Sequence, residues 1–285
     1  MDIQSKKTLE VDTIGIKKII AYIHKNESVF KWHNYYDFSK CMKYCAVRGE
    51  KAVVFWCNDG SVIRGFFYAI DLGELKNLLS LMPTGCIVDY LFRHRDEALE
   101  KVFCEAGLKQ IYEMHRMSEA GITLEKRQQI DKKIYKMRRL YRADRVRVAD
   151  ISELEIIYQK LYEVFDAKMG HLPSKDLLME YIKNGWVIVY YENKLLCGLY
   201  IFVVQQGGRH YGYQVWNGAG PVGYFSLREK EKEVYLAYLL EHGYDPAKVP
   251  AAYSWVDANN TQAVSVIEWR GGSFDGLYDF VYEKQ

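Results

Sequence analysis

The sequence predicts an α/β (α+β) fold in which a mixed, mostly antiparallel central sheet is flanked by helices. Three strand patterns follow one another in the second half, WVIVYYE, LLCGLYIFVVQ and RHYGYQVWN, and turn residues separate them. Segments with helical spacing of apolar residues precede and follow these strands. A smaller series of the same kind occurs in the first half, so we expect two similar domains in tandem.

The second half contains, in order, a strand, two helices, three strands, a helix, a strand, a helix and a strand. Residues 145–148 form the first strand, and Ser152 is predicted to cap the first helix. Ser174 caps the second helix after the break GHLP, and the third helix is EKEVYLAYLLEHG. In the last unit, Asn260 caps the helix and Gly271 ends it, because glycine readily adopts a left-handed backbone.

The first half contains a hairpin around Asp59-Gly60, a helix, a strand, a helix ended by Gly107 and a final strand. We identify no third central strand and no glycine loop there, and expect a shortened repeat. The predicted boundaries are 1–120 for this domain, 121–144 for a basic helical linker and 145–285 for the second domain. An unrelated α/β domain is the alternative for the first half.

Composition sets further bounds. The chain has 285 residues and a net charge of +2, and no window approaches the roughly 18 apolar residues of a transmembrane helix. We therefore expect a cytoplasmic protein without a membrane partner. The six cysteines lack CxxC spacing, which predicts reduced thiols and no metal site. Cys41 and Cys45 are predicted to share one face of a helix.

The linker is rich in basic residues. A run of this kind is either a solvated helix face or a surface for a phosphate-rich partner, such as a coenzyme diphosphate or RNA. The basic positions are Lys126, Arg127, Lys132, Lys133, Lys136, Arg138, Arg139 and Arg142.

The last strand-helix-strand unit resembles the C-terminal half of the GNAT superfamily of acyl-CoA N-acyltransferases. Asn260 and Ala263 match the start of the family's helix, and Gly271 and Phe274 match the Gly-Phe pair that opens its last strand. Ile267 stands where the family usually has a tyrosine. The resemblance implies a GNAT-like fold in tandem, with splayed central strands where the acyl donor enters.

The resemblance also implies a coenzyme-binding loop of the pattern Arg/Gln-x-x-Gly-x-Gly/Ala. The chain has VWNGAGPVGYF at that place, where glycines would let backbone N–H groups approach a diphosphate. The pattern is degenerate, and a glycine-rich turn without a ligand is the alternative. The residues assigned to acetyl-CoA or another acyl-CoA are Val215, Trp216, Gly218, Gly220, Gly223 and Asn260.

Acyl transfer to an amine requires a base for the amine and an acid for the leaving thiolate. His210, Tyr213 and Asp257 lie on the strands that would line the cleft and are the catalytic candidates. Alternation places Tyr211 and Tyr213 on one strand face and His210 on the other. Asp166, His171 and Tyr253 are the candidates for binding the acceptor; in each case a turn, a cap or core packing is the alternative.

Three functions are consistent with these residues. The first is an N-acyltransferase that moves an acyl group from acyl-CoA to a primary amine of a small molecule or peptide by direct attack. The second is a Fem-type aminoacyltransferase, which the tandem layout and basic linker also resemble, with tRNA as partner. The third is a non-catalytic GNAT-derived binding protein. The acceptor and the oligomeric state are not set by the sequence.

Overall fold

The computed structural model divides the chain into two compact units. The first comprises residues 1–115, 167–171 and 276–285, and the second comprises 116–166 and 172–275. The structure describes residues 8–26, 30–36, 38, 42–118, 125, 128–129, 132–133, 135–136, 140–218, 220–249 and 253–285. Half of the predicted linker, including Lys126, Arg127, Arg138 and Arg139, therefore lies outside the described residues.

The first unit is built on a sheet with the strand order β1-β3-β4-β5-β6-β13-β7, and β2 also pairs with β5. The last residues of β7 and the first residues of β13 belong to the second unit. The elements in chain order are β1 Leu9–Asp12, α1 Thr13–Lys25, β2 Trp32–His33, β3 Lys43–Arg48, β4 Ala52–Asp59, β5 Val62–Ala69, α2 Leu72–Leu79, β6 Cys86–Phe92, α3 Glu97–Glu105, β7 Leu108–Ser118 and, from the end of the chain, β13 Ser273–Lys284.

The first unit has a third central strand, which corrects the expectation of a shortened repeat. Strand β3 pairs antiparallel with β4, which pairs antiparallel with β5. Cys45 lies on β3 and not on a helix, while Cys41 lies outside the described residues. The expected absence of a glycine loop holds, because Asp71 and not a glycine precedes α2.

Apolar residues cover both faces of this sheet. On one face, α1 packs through Ile16, Ile19 and Ile23 in a core that includes Phe55. On the other face, α2 and α3 contribute to a second core around Phe67. Alternate residues of β4 and β5 thus point into two cores, as expected of strands buried on both sides.

The second unit has a four-stranded sheet with the order β11-β10-β9-β8, in which neighbouring strands are antiparallel. Strand β12 is not part of this four-stranded sheet. The elements are β8 Val146–Val148, α4 Leu154–Val164, α5 Lys175–Lys183, β9 Val187–Glu192, β10 Leu195–Val204, β11 His210–Trp216, α6 Gly220–Glu241, β12 Tyr253–Asp257 and α7 Thr261–Trp269. This order, closed by β13, confirms the predicted one.

Capping residues explain several helix ends. Ser174 accepts from the Leu177 N–H, and Asn260 accepts from the Ala263 N–H at 3.0 Å, as predicted. Gly271 has φ 92° and ends α7. The predicted cap Ser152 is wrong, because the side chain of Asp150 caps the short 3-10 turn at Ile151–Glu153 that precedes α4.

Helix α6 begins eleven residues before the segment predicted from its apolar stripe. Gly220 and Gly223 therefore lie in its first turn and not in a loop. Its inner face packs on β9 and β10 through a core that includes Leu227, while α4 and α5 cover the opposite face of the sheet. Among the described residues, no helix combines the length and apolar character needed to cross a bilayer.

Candidate functional site

The central feature of the second unit is the relation between β11 and β12. Arg209 directly precedes β11, and its guanidinium carbon lies 5.6 Å from the ring centroid of Tyr253, the first residue of β12. The two strands therefore begin side by side. They belong to different sheets, however, and β11 is the edge strand of its own sheet. This arrangement leaves a separation between β11 and β12 that no shared ladder of hydrogen bonds closes.

The end of β11 leads through the segment 217–219 into α6. Trp216 is the last residue of β11, and its indole fits among three glycines. A Cβ atom on Gly218 would lie 2.5 Å from Trp216 Cζ2, and one on Gly198 would lie 2.8 Å from Cζ3. At Gly223, a Cβ atom would lie 2.3 Å from Cη2. The glycines at 218 and 223 therefore have a packing role that is independent of any ligand.

The beginning of α6 provides backbone donors beside this glycine segment. The first N–H groups of a helix have no partner within the helix, and proline lacks the group, so Gly220, Val222 and Gly223 offer donors while Pro221 does not. With its side-chain amide turned to satisfy both of its neighbours, Asn217 accepts a hydrogen bond from Lys160 Nζ at 3.1 Å. Lys160 Nζ also pairs with the Glu163 carboxylate at 3.1 Å, so the feature here that favours an anion is mainly the positive end of the helix.

Two more aromatic residues surround the segment. The Tyr190 ring lies 5.2 Å from the Trp216 ring, and the Tyr224 ring lies 6.0 Å from it. The Tyr224 hydroxyl donates to Gln214 Oε1 at 3.4 Å. Helix α6 therefore places a tyrosine hydroxyl beside the end of β11, whereas the position that the GNAT resemblance assigns to tyrosine holds Ile267.

A buried charged cluster lies between α6 and the sheet. Glu231 is only 1% exposed, and its carboxylate lies 3.3 Å from His210 Nε2 and 3.4 Å from Arg228 Nη2. The guanidinium carbon of Arg228 is 4.2 Å from the centroid of the Tyr200 ring. Burial opposes ionisation of Glu231, but Arg228 and His210 outweigh it and hold the pKa of this carboxyl below its usual value.

The structure separates the three catalytic candidates. His210 is 7% exposed and lies at the start of β11, and six residues of strand, about 20 Å, separate it from Trp216. Tyr213 packs on the opposite face with Phe165, as the predicted alternation requires. Asp257 ends β12 and accepts hydrogen bonds from the backbone N–H and side chain of Asn259.

The remaining candidates also have structural partners. Val215 is 2% exposed, so only its backbone can contact a ligand, and Asn260 caps α7. The Tyr253 ring lies between the guanidinium groups of Arg209 and Arg116. Asp166 is an exposed residue of the second unit. His171 belongs to the first unit, where its Nδ1 is hydrogen-bonded to Asp59.

In the first unit, the strand edge that corresponds to that of β11 is the edge of β5, and residues of the same unit pair with it. Strands β5 and β6 pair only at Ile63 and Arg64. Beyond these residues, the side chain of Asn34 donates to the Gly65 carbonyl at 3.0 Å and accepts from the Phe67 N–H at 2.9 Å. Strand β2 then pairs with Tyr68 and Ala69. The edge of β5 is therefore occupied by residues 32–34.

The helix that follows β5 differs in charge from α6. The carboxylate of Asp71 caps α2 by accepting from the Glu74 N–H at 2.8 Å. A fixed negative charge therefore occupies the position where the glycine segment of the second unit offers backbone donors. A carboxylate at this position repels a diphosphate.

Solved structures show what this architecture is similar to. The chain is similar to a GCN5-related N-acetyltransferase from Sphaerobacter thermophilus, with a TM-score of 0.53 and 12% identity over 85% of this chain and 80% of the other. It is also similar to a GNAT-family acetyltransferase from Colwellia psychrerythraea, with a TM-score of 0.50 and 10% identity over 98% and 99% of the two chains. The chain has the GNAT fold. No protein-family model matches the sequence, and no curated protein matches it.

The order of elements that is typical of the GNAT fold occurs twice. Three antiparallel strands, a helix, a strand, a helix and a strand follow one another twice along the chain, from β3 to β7 and from β9 to β13. Sequence patterns did not identify Lys160, Tyr224, Arg228 or Glu231 as parts of the candidate site. The spacing of Arg228 and Glu231, three residues apart on one helix, was the available signal.

Proposed function

We propose that this chain is an acyltransferase of the GNAT type that binds an acyl-CoA in its second unit and transfers the acyl group to a primary amine. The observation that carries the proposal is the separation of β11 from β12 beside the glycine segment and the start of α6. The closed β5 edge of the first unit supports a single donor site per chain.

The residues present fit a diphosphate. The backbone N–H groups of Gly220, Val222 and Gly223 would bind its oxygens, and Lys160 would add a positive charge through its position at Asn217. An acyl thioester supplies an activated carbonyl. The exposed edge of β11 provides main-chain groups against which an extended amide-containing chain can be held, as an added strand is.

We propose an acid and a base among the candidate residues that are not buried. Tyr224 is the residue proposed to protonate a leaving thiolate, since its hydroxyl lies at the end of β11. Asp257, at the end of β12, is the carboxylate proposed to receive the amine proton, directly or through water. His210 and Glu231 are proposed as positioning residues, because both are buried.

Thermal unfolding with and without millimolar acetyl-CoA tests the proposal. A ligand present at about 100 times its dissociation constant adds about 2.7 kcal/mol to the folded state, which raises Tm by several degrees. Gly220→Asp should abolish the rise without destabilising the fold, because an acidic residue is favourable in the first helical turn but repels the diphosphate. The matched control is Gly73→Asp in the first turn of α2, which should leave the rise intact.

The alternatives give different outcomes. An aminoacyl-tRNA-dependent enzyme would bind tRNA in a salt-sensitive manner and show no response to acetyl-CoA. A non-catalytic binding protein would show the acetyl-CoA response, but no acyl transfer to any amine in a broad screen. Absence of the thermal shift in the unaltered protein would reject the proposed donor.

A further inference from the structure

The first unit contains a cavity of about 290 Å³ that the proposed function does not use. Helix α1 forms one wall with Lys17, Ile20, Ala21 and His24, which share one helix face by their spacing of three, four and seven residues. The apolar pair therefore lies between two basic side chains. The ends of this stripe are about 10 Å apart along the helix axis.

The opposite wall is aromatic and rests on the core. Tyr36 and Phe38 lie 4.9 Å apart by ring centroids, and both contact the fully buried Phe55, at 5.7 and 6.1 Å. Burial, and then the neighbouring Tyr68, raise the pKa of Tyr36, so its hydroxyl remains a hydrogen-bond donor at neutral pH. This wall therefore offers two aromatic rings, tilted by 52° to each other, against which the ring of a ligand can pack.

The polar groups of the cavity favour an anion. Lys17 and Lys31 are exposed lysines that line it, and none of its eight described lining residues is acidic. The Tyr68 hydroxyl is 3.0 Å from His24 Nδ1. When this hydroxyl donates to Nδ1, the other ring nitrogen carries the proton and is itself a donor. Helix α1 contains no acidic residue either.

We propose that this cavity binds a small aromatic anion, with its ring between α1 and the Tyr36–Phe38 wall and its phosphate or carboxylate held by Lys17, Lys31 and His24. The volume is at the lower end of the range for ligand sites, so the ligand is a single ring with a charged substituent. Lys17 Nζ already lies 5.3 Å from the centroid of the Phe38 ring. A ring packed there and an anion beside Lys17 can thus be bound together.

Phenyl phosphate is the probe for the test, with phenol and inorganic phosphate as its two halves. Its binding is followed by the NMR signals of the His24 ring, assigned by their loss in His24→Gln. We expect phenyl phosphate to shift these signals and to bind more tightly than either half. Lys17→Met and Lys31→Met should each weaken binding about fivefold to tenfold, as loss of one ordinary hydrogen bond does.

Lys18→Met and Lys25→Met are the matched controls, because both lysines are exposed on α1 and neither lines the cavity. Their binding should remain within about twofold of the unaltered protein. The proposal is overturned if millimolar phenyl phosphate leaves the His24 signals unchanged. It is also overturned if the control variants lose as much affinity as Lys17→Met, or if inorganic phosphate alone binds equally well.

Discussion

Replacing Asn34 by alanine tests whether the cleft of the first unit is closed by the protein itself. Asn34 is 2% exposed and makes two hydrogen bonds to the edge of β5, at 3.0 Å to the Gly65 carbonyl and at 2.9 Å to the Phe67 N–H. Removing this side chain leaves a buried carbonyl and a buried N–H without a hydrogen bond, and each such group destabilises the fold by about 1–3 kcal/mol. We therefore expect Asn34→Ala to lower the free energy of unfolding by about 2–5 kcal/mol.

The measurement is urea unfolding combined with hydrogen exchange of the Phe67 amide. Exchange at Phe67 should accelerate by orders of magnitude, because this amide loses its acceptor. Asn58→Ala is the matched control, since Asn58 is an exposed residue of β4, and it should change stability by no more than about 0.5 kcal/mol. If Asn34→Ala is as stable as the control, or if Phe67 exchange is unchanged, Asn34 does not hold the edge of β5.

Three further predictions concern the two units. Gly223→Ala should lower the free energy of unfolding by about 1–3 kcal/mol, because the added Cβ atom would meet Trp216. Adding Trp216→Phe to this variant should restore part of the lost stability, and no restoration would contradict this packing. Calorimetric titration with acetyl-CoA should give one site per chain, and two sites would show that β5 is accessible. Burial, followed by the neighbouring charge of Asp89, raises the pKa of Asp279 well above its usual value. Folding therefore favours the neutral carboxyl, and the free energy of unfolding decreases as the pH rises through the raised pKa. Asp279→Asn should therefore raise Tm at pH 8 more than at pH 4, with exposed Asp176→Asn as control; equal gains at both pH values would contradict the assignment.

Local signals in the sequence were sufficient for much of the fold. Gly60 and Gly271 adopt positive φ values where turns and helix ends were predicted, and Asn260 caps its helix. Strand β3 was missed because KYCAVR carries charges at both ends and lacks clear alternation. The start of α6 was missed because Gly220-Pro221 was read as loop, although proline fits the first turn of a helix.

The candidate site was less accessible to sequence reasoning, because its members meet only through tertiary packing. His210 was a catalytic candidate because of its strand, but its partner Glu231 comes from a different element. The burial of both residues depends on which face of α6 meets the sheet. Likewise, Trp216 explains Gly218 and Gly223 only once β11 and α6 are placed together. Residue type suggested chemistry at these positions, but packing decides whether the residues are accessible.

The two units show that the order of elements alone does not identify a working cleft. Both units have the same succession of strands and helices, yet in one the free strand edge is satisfied by Asn34 and β2, and the next helix begins at a carboxylate. In the other, an edge strand leads to glycines and to the start of a helix, whose first N–H groups have no partner within the helix. Backbone groups that already have partners gain little from a ligand, whereas groups without protein partners can pair with one. These differences are the reason that we propose the second unit for donor chemistry and the cavity beside α1 for a different ligand.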